Sequence, residues 1–488
     1  MARALHRSIS ERWVIMGKLE LTSPAHFGNG ETDSFTDMPI LLNEVDGHPL
    51  LPGTSIAGAL RNYLREFESG FSKPSPLTKD VAERKLLATL LFGGYRGDDE
   101  GAQSPLVVYD AIGTLNEMEL RDGVSINAET RTARDDQKFD IQLLSAGTTF
   151  DLKFELAFSN LYKESDRRNL LNGFALALQG LAGGEITLGA RKRRGYGQCK
   201  VENWSVIHFD LQDPKQFLAW LAYDHDGLKS DVKATEAKTI ATALGISPTT
   251  NDARKLVKLD ATFALDGTLL IRSGFGESDT GPDSVHLHAT SKNGRVPVVP
   301  GTSWAGVLRH RASKIARTVW GKDNPRCAEV IESMFGPSKV GTENTPASRI
   351  AIAESEVVKF TSLVQTRVKI DHFTGGASDG ALFTEQPLIG MPDSEVKLQL
   401  TLRVPHDQEP DPCELGLLLL LLKELWTGDL PIGGEAGVGR GRLKGKEAAF
   451  NDGTTTWKIT EKPDGRLDII GDVDRLQKFV DAFNGKGA

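Results

Sequence analysis

Asp37 and Asp283 are the side chains best placed by type and spacing to do chemistry. Each closes a glycine-rich stretch, GNGETDSFTD over 28–37 and GFGESDTGPD over 274–283. Gly28, Gly30, Glu31, Asp33 and Asp37 return as Gly274, Gly276, Glu277, Asp279 and Asp283 at one constant offset. A loop carboxylate is a candidate general base or fixed negative charge. Taken singly, either aspartate would read as a solvated loop acid. Their paired return argues otherwise, because a loop with no task is free to lose its carboxylates. Turn or capping duty accounts for one of each pair, so Asp33 with Asp279 is the alternative assignment. His26 is a second candidate base. The second copy has Ser273 nearby and no histidine at the matching position, which favours a solvated or capping role for His26.

The repeat also carries candidate anion sites. Pro52-Gly-Thr-Ser returns as Pro300-Gly-Thr-Ser, each opening a helical pattern that begins IAGALR in one copy and WAGVLR in the other. Thr54 or Ser55 suits the N-cap position. The free N–H groups of such a helix start are a ready phosphate site, though simple capping with tight packing explains one copy equally well. Further on, LGARKRRGYG sets Arg191, Lys192, Arg193 and Arg194 among Gly189, Gly195 and Gly197. Four consecutive cations are costly to crowd together without an opposing anion. Glycines let a backbone approach a sugar-phosphate chain, and arginines add charge and stacking. The second copy, GGEAGVGRGR, keeps Gly433, Gly439 and Gly441, and only Arg440 and Arg442 supply charge. No Gly-Lys-Ser/Thr follows the glycines, so neither loop is a P-loop.

Elements of recognisable type must hold these loops. Residues 11–22 alternate as a half-buried strand, and 37–52 read as a short hairpin. Residues 83–92 form a helix ending at Phe92-Gly93, matched by Phe335-Gly336. Strands follow at 105–111 and in TTFDLKFELAF, then a helix over 167–182 leads to the basic loop. In each copy a polar stretch between two strands reads as a protruding arm. Arg131 and Arg134 on the first, and Arg367 and Lys369 on the second, are either phosphate contacts or solvated charge. Asp213–Leu221 reads as a capped closing helix and 224–253 as a polar linker. The domains are therefore 1–215, a linker with closing helix over 216–255, and 256–488. The tail at 446–471 carries no functional reading.

Composition limits the options. The 488 residues are 39% hydrophobic and 25% charged, ordinary for a globular protein. The net charge of −8 argues against a nonspecific polyanion binder, so any nucleic-acid role rests on local basic patches. Three scattered cysteines suggest neither a disulfide framework nor a zinc site. The Leu-rich run at 415–426 is too short to span a membrane and reads as a buried helix. The N-terminal residues lack the apolar core of a signal peptide, and a cytoplasmic location is expected.

Strand, glycine loop, aspartate before a short strand, PGTS helix, Phe-Gly and a late Gly-Tyr-Gly loop together resemble the RAMP superfamily. PGTSIAGALR and LGARKRRGYG are the specific motifs, and the likeness spans about 20–210 and 258–445. Each half resembles a backbone subunit of type III CRISPR effector complexes, and the whole resembles two such subunits fused. The resemblance implies an α+β chain of two tandem ferredoxin-like, RNA-recognition-type domains, each with a β-hairpin thumb. It implies guide CRISPR RNA, complementary target RNA and other effector subunits, including a large subunit, as partners. It implies an RNA-guided endoribonuclease in which Asp37 and Asp283 serve the cutting of target RNA with Mg²⁺ or another divalent cation, through ligands that the sequence does not identify. Thr54, Ser55, Arg61, Arg131, Arg134, Arg191, Lys192, Arg194, Thr302, Ser303, Arg309, Arg367, Lys369, Arg440 and Arg442 would then hold RNA. Asp37 is followed by Met-Pro and Asp283 by Ser-Val, where the family often has Ser-Pro. Two alternatives stand: a guide-RNA scaffold that does not cut, and a guide-processing endoribonuclease with His26 or His48 as base.

Overall fold

The computed structural model describes residues 8–30, 36–71, 85–94, 103–114, 116–127, 130, 132–224, 233–248, 251–273, 281–291, 294–337, 347–462 and 464–485. The chain divides into two compact units. The first comprises Met1–Glu119, Gln142–Lys192 and Tyr196–Arg254; the second comprises Leu120–Ile141, Arg193–Gly195 and Lys255–Ala488.

In the first unit, strand Ile9–Leu21 lies between Thr149–Ser159 and Cys199–Asp210, antiparallel to both. Leu106–Val108 pairs with the outer side of Thr149–Ser159. With helices Gly53–Ser69 and Glu164–Ala182 between them, the chain order is β-α-β-β-α-β. Across the sheet the fourth strand precedes the first, then come the third and second, which is the ferredoxin-like arrangement. The two helices share a core with the sheet that includes Leu60, Leu64, Phe154, Phe174 and Leu178. Gly180 lets them pack closely there, since a Cβ would force the ring of Tyr63 to shift.

The second unit repeats this order. Lys255–Asp266 lies between Leu388–Val404 and Arg442–Asn451, Ile350–Ile352 pairs outside Leu388–Val404, and Gly301–Trp320 and Pro412–Trp426 are its helices. Two further strands, Thr456–Glu461 and Leu467–Ile470, extend the sheet past Arg442–Asn451. Helix Val473–Asn484 then packs on Pro412–Trp426 at Gly416, where the carbonyl of Phe479 leaves no room for a Cβ. The tail is thus part of the fold. It explains the unbroken leucine run, because a helix covered on both sides is apolar all round.

The arms are hairpins, Met118–Ile126 with Ala133–Leu144 and Gln365–Ile370 with Ala377–Gln386. Within the second unit Arg121 of the first arm makes a bidentate pair with Glu354, both almost fully buried. The stretch expected to be a linker contains structure. Thr235–Ala237 pairs with Cys199–Asp210, and Ile240, Ala243 and Leu244 are buried. So few apolar residues in a polar segment set no readable period. Thr54 and Ser55 are not helix caps: Pro52 holds the cap position without a side-chain bond, and the Gly53 N–H donates instead to Asp110 Oδ1 at 2.6 Å.

Phe263 is fully buried on the central strand of the second unit. Phe263→Ala should cost about 3–5 kcal/mol in urea unfolding of the full chain; a loss below about 1 kcal/mol would contradict this placement.

Candidate RNA-binding groove

An open groove of about 680 Å³ in the first unit brings together Gly28, Asp37, Thr54, Ser55, Gly189 and Lys192. Three segments build it: the loop leaving Ile9–Leu21, the start of helix Gly53–Ser69, and the basic loop. The first and third are locked by backbone. Ala190 N–H donates to the His26 carbonyl at 2.9 Å. Gly189 has φ +83°, and a Cβ there would strike that same carbonyl. Gly197, at φ +74°, presses equally hard on Leu188.

Asp37 is exposed, between two residues held by Gln142. Gln142 Oε1 accepts the Ile40 N–H at 3.2 Å, and its Nε2 reaches Thr36 Oγ1 at 3.4 Å. The Gln142 carbonyl lies 2.9 Å from His26 Nδ1. His26 is therefore buried support under the loop, 3% exposed. This does not fit a solvated role; the ring lines the groove and is held through Nδ1. His48 is exposed beside Asp46, on the hairpin turn.

The expected RNA contacts fall into distinct groups. Thr54, Ser55 and Lys192 are exposed on the groove. Arg191 is half-buried, with Nη2 4.0 Å from Met38 Sδ. Burial lowers its pKa, against the opposing effect of Tyr196. Arg61 lies further along the helix, half-buried and off the groove. Arg134 is exposed on the arm, and Arg131 lies outside the described residues. Arg194 belongs to the second unit, its Nη1 3.5 Å from the Ile350 carbonyl. Burial, then the charge of Arg309, lowers its pKa. Arg309 donates to the Gly336 carbonyl at 2.8 Å, and burial lowers its pKa too. Thr302 is exposed and Ser303 half-buried at the start of Gly301–Trp320. Lys369 is exposed on the second arm, and Arg442 pairs with Asp266 at 3.7 Å.

The second glycine loop has the same backbone and different chemistry. Gly433, Gly439 and Gly441 all have positive φ, as do Gly189, Gly195 and Gly197. Arg191 and Glu435 share the left-handed conformation, and a 3₁₀ turn follows each, Lys192–Arg194 and Ala436–Val438. Glu435 thus stands where the first loop has Arg191, and Arg440 where it has Tyr196. Arg440 is 2% exposed, 3.1 Å from Glu385 and 3.0 Å from Glu435. Arg367 reaches the same two glutamates at 3.4 and 3.1 Å, as does Arg272 at 3.1 and 2.8 Å. Burial pushes the Glu435 pKa up, but its hydrogen bonds and the arginines outweigh this and hold it low. The expectation that Arg440 grips phosphate does not fit: a buried cation held by two carboxylates presents no charge outward, while Arg367 meets the same two glutamates and stays partly exposed. Glu385, Glu435, Arg272 and Gln142 escaped sequence reasoning because nothing in their spacing pairs them.

Asp283 is exposed, with its N–H donating to Thr384 Oγ1 at 3.1 Å. Its Oδ2 accepts from the Thr384 N–H at 2.7 Å and from Thr384 Oγ1 at 3.1 Å. These bonds, the backbone one first, hold its carboxyl below the usual range. Asp33 and Asp279 lie outside the described residues. Among the described residues no group of three or more His, Cys, Asp or Glu side chains is gathered for a metal. Mg²⁺ keeps waters and uses one or two carboxylates plus substrate phosphates, so an exposed carboxylate on a groove, such as Asp37, is compatible with it.

The family model of the RAMP superfamily matches the chain twice, over residues 18–200 and 264–444. No curated protein matches it.

Because the Thr384 hydroxyl helps keep Asp283 ionised, Thr384→Val should move its carboxyl pKa up toward the ordinary aspartate value. NMR titration of the Asp283 carboxyl checks this, and an unmoved midpoint would show the hydroxyl bond to be idle.

Proposed function

Since the chain belongs to the RAMP superfamily, whose members are generally CRISPR-associated, we propose that it is a backbone subunit of a type III RNA-guided effector complex. In this reading it binds guide RNA and cuts complementary target RNA once per repeat. The observation that carries the reading is the groove joining Asp37, the start of the PGTS helix and Lys192. A helix start and a lysine suit phosphate. The left-handed glycines let backbone come close to a nucleic-acid chain. No helix among the described residues is long and apolar enough to cross a membrane.

RNA carries its own nucleophile in the 2′-OH. The oxygen attacks the adjacent phosphorus, the P–O5′ bond breaks, and the products are a 2′,3′-cyclic phosphate and a 5′-OH. The protein's share is to bend the backbone so that attack is in line and to take the 2′ proton or offset the developing charge. In this reading Asp37 and Asp283 take on those tasks. A divalent cation, when bound, would supply charge neutralisation at the phosphoryl oxygens. Exposed Thr54, Ser55 and Lys192, with Arg191 behind them, would position the guide strand and take no part in bond making.

For the guide-processing reading, His26 is held by the Gln142 carbonyl and His48 is exposed on the hairpin turn.

Labelled complementary RNA incubated with the assembled complex and Mg²⁺ tests the proposal. Asp37→Ala and Asp283→Ala should each lose a different single cut, by about 10²–10⁴-fold, with guide binding unchanged. Retention of every cut in both variants would overturn the assignment of Asp37 and Asp283 and leave a scaffold, or chemistry at Asp33 and Asp279.

A further inference from the structure

We propose that the five-residue ionic cluster of Arg272, Arg367, Arg440, Glu385 and Glu435 is a positioning device for Asp283. The inference rests on reading Asp283 as the cutting carboxylate of the second repeat. Asp283 opens the short strand Ser284–His286, which is three residues long. That strand sits in a four-stranded sheet between Arg272–Ser273 and Ala377–Gln386, with Gln365–Ile370 beyond. Its registers are brief: Arg272 with His286 and Ser273 with Val285 on one side, Ser284 with Glu385 and Val285 with Gln386 on the other. Ladders this short fix a strand weakly.

The cluster does what the ladder cannot. Glu385 is 1% exposed and follows Thr384, the residue that holds the Asp283 carboxylate. Both glutamates meet the same three arginines, which come from the first strand of this sheet, the fourth strand and the glycine loop. Gln365 Oε1 accepts a further bond from Arg440 at 2.9 Å. The strand bearing Asp283 is thereby enclosed by elements tied to one another. A buried charge that loses its partner is strongly disfavoured, so each member restricts where the others can be. The first repeat forms no matching cluster among its described residues. At the matching places it has Ile141, Tyr196 and Arg191, the first two buried. Asp37 therefore keeps its position by other means, and its cut serves as a control within the same molecule.

Glu385→Gln preserves shape and removes one charge. In the full chain, hydrogen exchange at the Thr384 amide should speed by about tenfold or more. In the assembled complex the Asp283-dependent cut should fall by a similar factor, with the Asp37-dependent cut and guide affinity unchanged. Arg272→Met, at the cluster's exposed rim, gives the same pattern if the glutamine variant fails to fold. Unaltered Thr384 protection, or equal loss of both cuts, overturns the proposal. Asp283→Ala run alongside separates the two ideas: if its cut survives, the nuclease reading of the second repeat fails, and the exchange result still judges the positioning.

Discussion

Both repeats depend on one backbone contact, a left-handed glycine pressed against the loop that leaves the first strand. In the first repeat Gly189 meets the His26 carbonyl, which also accepts the Ala190 N–H. In the second, Gly433 meets the Leu270 carbonyl, which accepts the Gly434 N–H at 2.8 Å. No Cβ fits, and the conformation is one that L side chains avoid. The contact fastens the late glycine loop to the early aspartate-bearing loop, although most of the domain lies between them in sequence. The remaining framework follows from the central strand, because it ends in the early loop and its antiparallel neighbour begins after the late loop, at the same end of the sheet.

On that shared backbone the side chains have diverged. The first loop spends its left-handed position on Arg191 and buries Tyr196; the second spends it on Glu435 and buries Arg440. An apolar support and an ionic one can hold the same shape, at different cost. Ion pairs give up hydration and recover it only with good geometry, whereas Ile141 and Tyr196 gain by leaving water. The ionic solution is directional: each guanidinium requires its carboxylates in place. The first solution leaves Lys192 exposed on the groove; the second turns Arg440 inward.

The repeat, the two arms and most strands and helices were legible, because periodicity and matched motifs report backbone; the ferredoxin-like order came only with the resemblance to the RAMP superfamily. Arg440 was misleading for a physical reason. An arginine among glycines looks the same in sequence whether it faces a phosphate or a glutamate 55 residues away in the chain, at Glu385. Burial of a charge depends on its partners, and those at 272, 367, 385 and 435 share no local pattern. Gln142 escaped notice likewise, since a glutamine bridging Thr36, Ile40 and His26 shows no signature before the chain folds. The strand and helix at 235–244 were hidden by their polar surroundings.

The state of Asp283 bears on what a carboxylate can contribute at such a site. Two donors from Thr384 stabilise its ionised form, and the same bonds make it a weaker base. Its negative charge is present above the ordinary aspartate range and persists as pH falls, until the lowered folded pKa is passed. Such a group is poorly suited to carrying a proton and well suited to keeping a fixed charge in a fixed place. Near RNA, a fixed negative charge is useful only if a cation stands between it and the phosphate, since bare carboxylate and phosphate repel. In the proposed reaction this assigns Asp283 to electrostatics in preference to proton transfer, and leaves in-line geometry, set by the way the RNA backbone is bent, as the larger share of the rate.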